Sequence, residues 1–147
     1  MFLENKKIII GRTDKADFPL LELYGIDIKI DTGAYTSSIH CLHIKEKKKE
    51  LQCCFLDQSY PEYNGKQFVF KNYDITAVKS SNGEIEERYV VKTKICLFKK
   101  VNPITLTLSS RRDMRFPVLL GRKFLSGKYI VDTALEDQSY NFCTNEY

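Results

Sequence analysis

An alternating segment, IKI at residues 28–30, is followed directly by Asp31, Thr32 and Gly33. These residues supply a carboxylate, a hydroxyl and a backbone without a side chain. A carboxylate at a strand end can lie beside a second carboxylate and hold a water molecule between the two. Two carboxyl groups about 3 Å apart cannot both ionise, so one acts on the water as a base and the other acts as an acid. Thr32 would lock such a loop, and Gly33 would let the backbone approach the carboxylate closely. The tripeptide is therefore a candidate hydrolytic centre.

The same tripeptide also has a purely structural interpretation. Asp31 and Thr32 can hydrogen-bond to their own backbone in an Asx or Ser/Thr turn, with Gly33 taking a positive φ. In the chemical interpretation, the hydroxyls of Ser37 and Ser38 supply further hydrogen bonds around the site. The tripeptide alone does not separate these two interpretations.

His40, Cys41 and His43 form a close group of potential zinc ligands. A catalytic zinc ion normally takes three protein ligands in a fixed geometry, and the HExxH pattern of zinc proteases is absent. If residues 39–44 form a strand, His40 and His43 point to opposite faces. Strand geometry also argues against Cys41 as a thiol nucleophile activated by its neighbours. We therefore expect no metal and no other cofactor.

Length and composition predict a single domain over residues 1–147, since 43% of the residues are hydrophobic and 29% are charged. The net charge of +4 comes mainly from short basic runs, which we interpret as solvated turns and not as a nucleic-acid surface. The apolar run at residues 8–10 is too short for a signal peptide or a membrane span, which predicts a cytoplasmic protein without a membrane partner. The 5 cysteines are expected to be reduced and mostly buried.

The hydrophobic period is two almost everywhere, which predicts a mostly-β chain of many short strands. The expected strands are residues 7–12, 20–23, 26–30, 51–56, 73–78, 89–97, 104–108, 118–120 and 129–131. Asn64-Gly65 and Asn82-Gly83 are hairpin signals, because both residue types tolerate a positive φ. One short helix is expected at residues 122–126, with Gly127 closing it. A small closed β-barrel accommodates such a pattern.

The segment FPVLLGRKFLSGKYIVDT, residues 116–133, places apolar residues and then Gly-Arg directly before the expected helix. Together with IDTGA, it resembles the retropepsins, the single-domain aspartic peptidases of retroviral type. In that family a DTG(A/S) loop is followed by a flap hairpin and then by an apolar-apolar-Gly-Arg segment with a short helix. The blocks KIDTGAYTSSIH, VKSSNGEIEERYVVKT, TLSSRRDMRFPVLLGRKFL and YIVDT are similar to a bacterial retropepsin-like family often labelled ATP-dependent zinc protease.

The resemblance implies a retropepsin-type barrel and a role for each matching residue. These roles are the catalytic Asp31, its loop Thr32, Gly33 and Ala34, the supporting turn Leu120, Gly121 and Arg122, and the candidate flap Ser80, Ser81, Asn82 and Gly83. Arg88, Arg111 and Met114 also lie in matching blocks, but their residue types suggest no physical role.

Some features depart from the family pattern. Lys123 stands where retropepsins usually carry Asp or Asn, which places the usual buried polar partner of Arg122 in question. The flap tip lacks the glycine-rich sequence of the viral enzymes. The family label names ATP, but no G-x-x-x-x-G-K-(S/T) phosphate loop is present.

A single Asp-Thr-Gly in the chain means that a pair of catalytic carboxylates requires two chains. The leading hypothesis is therefore a homodimeric aspartic endopeptidase that hydrolyses a peptide or protein substrate, with Asp31 contributed by each subunit. Asp132 is the first in-chain candidate for a second carboxylate. Two alternatives remain open, a non-catalytic retropepsin-like barrel that binds a peptide or protein partner, and a zinc-dependent protease using His40, Cys41 or His43.

Overall fold

The computed structural model describes residues 6–79, 82–110 and 115–145, and strands make up most of this part of the chain. The strands are β1 (Ile8–Ile10), β2 (Thr13–Phe18), β3 (Leu23–Ile30), β4 (Ser37–Lys47), β5 (Glu50–Phe55), β6 (Gln67–Phe70), β7 (Asp74–Lys79), β8 (Ile85–Leu97), β9 (Lys100–Ser109), β10 (Val118–Leu120) and β11 (Tyr129–Val131). The described helices are a 3₁₀ turn (Pro19–Leu21), α1 (Arg122–Leu125) and α2 (Gln138–Thr144). The mostly-β prediction is confirmed.

Six strands close a barrel in the order β10–β3–β2–β8–β9–β4, and β4 pairs with β10 to complete the ring. The three-residue strand β10 makes this closure, because Val118 pairs in parallel with Ile28 of β3 and antiparallel with Ile39 of β4. β5 and β6 continue the sheet beyond β4, and β7 pairs with β8 as a hairpin arm. β1 and β11 form a separate parallel pair. The predicted small closed barrel is confirmed.

The core follows the predicted alternation. Ile26, Ile28 and Ile30 are buried, whereas Asp27 and Lys29 between them are exposed. This strand therefore packs one face into the barrel and ends directly before Asp31, with its register set by the buried isoleucines.

Some local predictions need correction. Residues 20–23 are not a strand: Pro19 begins a 3₁₀ turn, Glu22 ends it in the left-handed region, and β3 starts at Leu23. Asn82-Gly83 lies in the β7–β8 connection as predicted, with Gly83 at φ +85°. Asn64-Gly65 lies instead within the longer connection between β5 and β6.

The second helix, α2, was not predicted from the sequence. Its N-terminus is capped from a distance, because the carboxylate of Asp14 in β2 accepts hydrogen bonds from the backbone N–H groups of Ser139 (2.8 Å) and Tyr140 (3.0 Å). Asp14 is buried and also accepts the N–H of Lys15 at 2.8 Å. Burial raises the pKa of Asp14, and these N–H donors oppose that shift.

Asp14→Ala is expected to lower the free energy of unfolding by about 2 kcal/mol, because it leaves buried N–H donors without an acceptor. Thermal or urea unfolding followed by circular dichroism measures this change. Asp74→Ala is the matched control on an exposed strand position, and it should change the stability by less than about 0.5 kcal/mol. Equal stability of the two variants would refute the capping role of Asp14.

No helix in the described part of the chain has the length and apolar character needed to cross a membrane. The five cysteines are free thiols, with Cys41, Cys53 and Cys54 buried and Cys96 and Cys143 partly exposed. Cys41 is no candidate nucleophile, because a hydrogen bond with Cys53 and burial raise the pKa of its thiol.

Candidate active site

The backbone around Asp31 is held by main-chain hydrogen bonds from two separate segments. The N–H of Asp31 donates to the carbonyl of Leu120 in β10 at 2.8 Å, and the N–H of Ile30 donates to the carbonyl of Arg12 at 2.9 Å. The carbonyl of Asp31 accepts the N–H of Ala34 at 3.2 Å, which closes the loop after the strand. Asp31 is therefore placed at the end of β3 by main-chain contacts.

The carboxylate of Asp31 is half-buried and engages only its own loop. Its Oδ1 atom accepts the N–H of Gly33 at 3.0 Å, and no other hydrogen bond or ion pair within the described residues reaches this side chain. The expectation of a positive φ at Gly33 is wrong, since the left-handed glycines are Gly25, Gly65, Gly83 and Gly127. A Cβ atom at Gly33 would lie 3.3 Å from Oδ1 of Asp31, so glycine allows the close approach of backbone and carboxylate.

The supporting turn binds the Asp31 loop through a ladder of main-chain contacts. The N–H groups of Arg122 and Lys123 donate to the carbonyls of Ala34 (2.8 Å) and Tyr35 (2.9 Å). The N–H of Gly121 donates to the Oγ atom of Ser37 at 3.0 Å. The structure thus brings together the two segments that the sequence places about ninety residues apart.

The side chain of Arg122 locks the loop from outside. Its Nη1 atom donates to the carbonyl of Thr32 at 2.9 Å, and its guanidinium lies 5.9 Å from the centre of the Tyr35 ring. Arg122 is exposed, so it has a carbonyl partner at the surface in place of a buried carboxylate. Thr32 therefore holds the loop through its main-chain carbonyl, which accepts the bond from Arg122, and not through its hydroxyl as expected from the sequence.

Gly121→Ala is expected to disrupt this turn, because the new Cβ would lie 2.5 Å from the Thr36 carbonyl oxygen and 2.8 Å from that of Tyr35. Forcing backbone apart in this way should lower the free energy of unfolding by about 3 kcal/mol, as measured by urea unfolding. Gly33→Ala is the matched control, and it should fold nearly normally while disturbing the Asp31 carboxylate. A Gly121→Ala protein as stable as Gly33→Ala would show that this close approach is not required.

The candidate flap corresponds to the hairpin of β7 and β8. Asn82 and Gly83 lie at its described end, whereas Ser80 and Ser81 lie outside the described residues, as do Arg111 and Met114. The hydroxyl groups of Tyr73 and Tyr89 both bond the carboxylate of Glu46 in β4, which anchors the base of the arm.

Arg88 lies on this arm and makes an ion pair with Glu86 of the same strand at 2.6 Å. The two side chains share one face of β8, since residues two apart in a strand point the same way. Arg88 therefore forms an ion pair within the arm, a contact that its residue type alone did not predict.

The candidate zinc ligands are separated. His40 is buried, and its Nε2 atom bonds the carboxylate of Asp57 at 2.7 Å. His43 is exposed at a β-bulge with φ +56°. The described residues contain no cluster of three histidine, cysteine or carboxylate side chains arranged to hold a metal ion.

The pairing of His40 with Asp57 could not be predicted from the sequence, because the two residues lie 17 positions apart and no local pattern joins them. Hydrogen bonds from Ser59, and then the contact with His40, lower the pKa of Asp57 from its ordinary value of 3.8. A carboxyl whose folded-state pKa is lowered stabilises the protein above its ordinary pKa, and this contribution is lost as the pH falls through the folded-state value.

We expect the purified protein to contain much less than one zinc ion per chain, and a chelator to leave its activity unchanged. The reason is that His40 is committed to Asp57 and His43 points elsewhere. Metal analysis of the purified chain and an assay with and without chelator test this. One tightly held zinc per chain that is lost in His40→Ala would overturn the expectation.

Asp132 lies at the end of β11 in the separate strand pair. Its Oδ1 atom accepts the N–H of Ala134 at 2.9 Å, and its own N–H donates to the carbonyl of Ile10 at 2.9 Å. No described hydrogen bond joins Asp132 to Asp31. Each of these carboxylates is engaged with its own turn.

Known proteins are similar to this chain in sequence and in fold. A protein named probable alpha-L-glutamate ligase from Shewanella halifaxensis is 35% identical over 98% of this chain, which covers 31% of that protein. A protein of the same name from Desulfotalea psychrophila is 35% identical over 88% of this chain and 29% of its own length. The chain therefore spans about a third of the length of these curated relatives.

A crystal structure of Lpg0085 from Legionella pneumophila, a protein of unknown function (DUF785), matches with a TM-score of 0.69 and 27% identity. The match covers 90% of this chain and 98% of that one. The family model described as RimB-like, retropepsin-like aspartic endopeptidase RimB, matches residues 9–139. The chain belongs to this RimB-like family of retropepsin-like proteins.

Proposed function

We propose that the protein is an aspartic endopeptidase that activates water between Asp31 and the partner subunit's Asp31. The observation that supports the proposal is the contrast between the firmly held backbone at Asp31 and its carboxylate, which has few partners. The N–H of Asp31 is bound by Leu120 of β10 and the N–H of the preceding Ile30 is bound by Arg12, whereas the Asp31 carboxylate accepts only the Gly33 N–H among the described contacts. A carboxylate on a firmly held backbone, with a single hydrogen bond among the described residues, is suited to act on a bound water.

The proposed reaction needs both carboxyl groups in different protonation states. The pair holds one proton, because two adjacent carboxyl groups cannot both be ionised. The ionised carboxylate takes a proton from the water as its oxygen attacks the peptide carbonyl carbon, and the protonated carboxyl gives its proton to the carbonyl oxygen. The carboxyl that took the water proton then gives it to the amide nitrogen, while the other carboxylate takes a proton back from a hydroxyl of the tetrahedral intermediate. The carbon–nitrogen bond breaks, a carboxylic acid and an amine leave, and the pair again holds one proton.

The β7–β8 arm supports binding of an extended peptide. Its described outer positions Ile75 and Ile85 are 51% and 71% exposed, which leaves apolar surface that a substrate could cover. An extended peptide can add main-chain hydrogen bonds to such a strand edge, with alternate side chains entering pockets. We propose that this arm closes over the substrate as a flap.

The relatives suggest the chemistry of the substrate. In them, the segment that matches this chain is part of proteins named probable alpha-L-glutamate ligase, of which it forms about a third. The name of the whole protein does not assign ligation to this segment. A hydrolase joined to a glutamate ligase would act on the same kind of bond, so we propose glutamate-containing peptides as substrates.

The test is incubation of the wild-type chain with a peptide library that includes glutamate-rich members, followed by mass spectrometry of new termini. Chelator-resistant cleavage, including cleavage beside glutamate, is the expected result. Cleavage that stops with chelator and returns with zinc would favour the zinc alternative. A folded, dimeric protein that cleaves no peptide would favour the non-catalytic peptide-binding barrel.

A further inference from the structure

A cavity of about 200 Å³ lies beside the supporting turn. Its lining includes Lys92 of β8, Thr105 of β9, Lys123 and Phe124 of α1, Lys128 and Ser37. Lys92 faces outward, since its neighbours Val91 and Thr93 are buried. The cavity shares Ser37 and Lys123 with the turn that holds the Asp31 loop.

The charged side chains that line this cavity are all positive among the described residues. Three lysines from separate parts of the chain line it, and no aspartate or glutamate is among its described lining residues. Lys92, Lys123 and Lys128 form no ion pair with any carboxylate in the described ranges, whereas Lys15 pairs with Asp27 and Lys66 pairs with Glu22. A concave surface lined by one charge focuses the electrostatic potential and concentrates counter-ions.

One of these lysines is also held in place. The Nζ atom of Lys128 donates to the carbonyl of Phe124 at 3.0 Å and lies 5.0 Å from the centre of the Phe124 ring. An ammonium group fixed in this way loses less conformational entropy when an anion binds.

The size and lining of the cavity indicate which anion fits. About 200 Å³ is below the usual range of whole-ligand sites, so it suits one or two side chains of a longer molecule. Pro103, Ile104 and Phe124 add apolar surface that can contact the methylene groups of an acidic side chain. Nucleic-acid binding instead depends on many phosphate contacts along an extended basic surface.

We propose that this cavity is a binding subsite for the carboxylate side chains of an acidic peptide, separate from the site of bond cleavage. The binding itself depends only on the cavity. Its use as an anchoring site for substrate rests on the proposed peptidase function.

The test uses fluorescein-labelled hexa-L-glutamate and the full chain carrying Asp31→Asn, so that binding is measured without cleavage. Fluorescence anisotropy should detect binding that weakens as the salt concentration rises. The double variant Lys92→Gln/Lys123→Gln should bind at least about tenfold more weakly, because it loses two charge-assisted contacts. Lys47→Gln/Lys48→Gln makes the same change of charge at exposed positions of the β4–β5 hairpin, and it should bind nearly as the parent does.

Equal losses in the two double variants would overturn the subsite, because they would reveal diffuse charge attraction. Absence of binding by the parent would overturn it as well, as would tighter binding of a single-stranded oligonucleotide through the same lysines. The single lysine variants and a thermal unfolding curve of each protein show whether weaker binding results from misfolding of the double variant. A wild-type protein that cleaves no peptide would refute the peptidase proposal and leave the binding result intact.

Discussion

Asp31→Asn is expected to abolish peptide cleavage while leaving the fold unchanged. Loss of the acid–base group should lower kcat/KM by about 10³-fold or more. The fold should persist, because the Asn oxygen can still accept the Gly33 N–H and the Asp31 N–H bond to Leu120 belongs to the main chain. Kinetics on a cleaved library peptide and thermal unfolding measure the two effects.

Asp132→Asn is the matched control for this experiment. Asp132 also follows a strand and accepts an N–H group from its own turn, so the two substitutions are chemically alike. We expect the Asp132 variant to keep its activity. Undiminished cleavage by purified Asp31→Asn would refute the aspartic mechanism, and loss of activity in Asp132→Asn with normal folding would point to an in-chain carboxylate pair.

Cleavage activity is expected to depend on assembly and on pH together. The chain contains one Asp-Thr-Gly, so a carboxylate pair must form across a twofold axis between two copies. Activity per chain should fall on dilution as dimers dissociate. It should also follow a bell-shaped pH profile that peaks on the acidic side of neutral, because the pair works only while it holds one proton.

Mixed dimers provide the sharper test. With a ninefold excess of Asp31→Asn, random exchange should lower the activity per wild-type chain about tenfold, since few wild-type chains find a wild-type partner. The same excess of Asp132→Asn should cause no such loss. Full activity of a chain shown by light scattering to be monomeric at the assay concentration would refute the dimer.

The sequence by itself determined the features that depend on neighbouring residues. The alternation of Ile26, Ile28 and Ile30 set the face of β3 that enters the core, and it placed Asp31 at the strand end. Asn82-Gly83 marked a connection between two strands, and Gly121 preceded a short helix. These predictions succeeded because pleat, turn and helix-end preferences act over only a few residues.

The supporting turn was found by resemblance, and its contacts only by the structure. Strand β10 has three residues, too few to carry a clear periodic signal, yet it closes the barrel between β3 and β4. The carbonyl of Leu120 then reaches the N–H of Asp31. The structure also showed that Arg122 locks the loop through the Thr32 carbonyl.

Only the tertiary structure decided the long-range contacts. The helix α2 has a left-handed Asp137 at its N-cap with no side-chain capping bond, and its cap comes from Asp14, 125 residues before Ser139. His40 likewise meets Asp57, and Lys92 meets Lys123 at one cavity, only because separate strands and helices pack together. Such pairings depend on how the barrel closes, and no window of neighbouring residues contains that information.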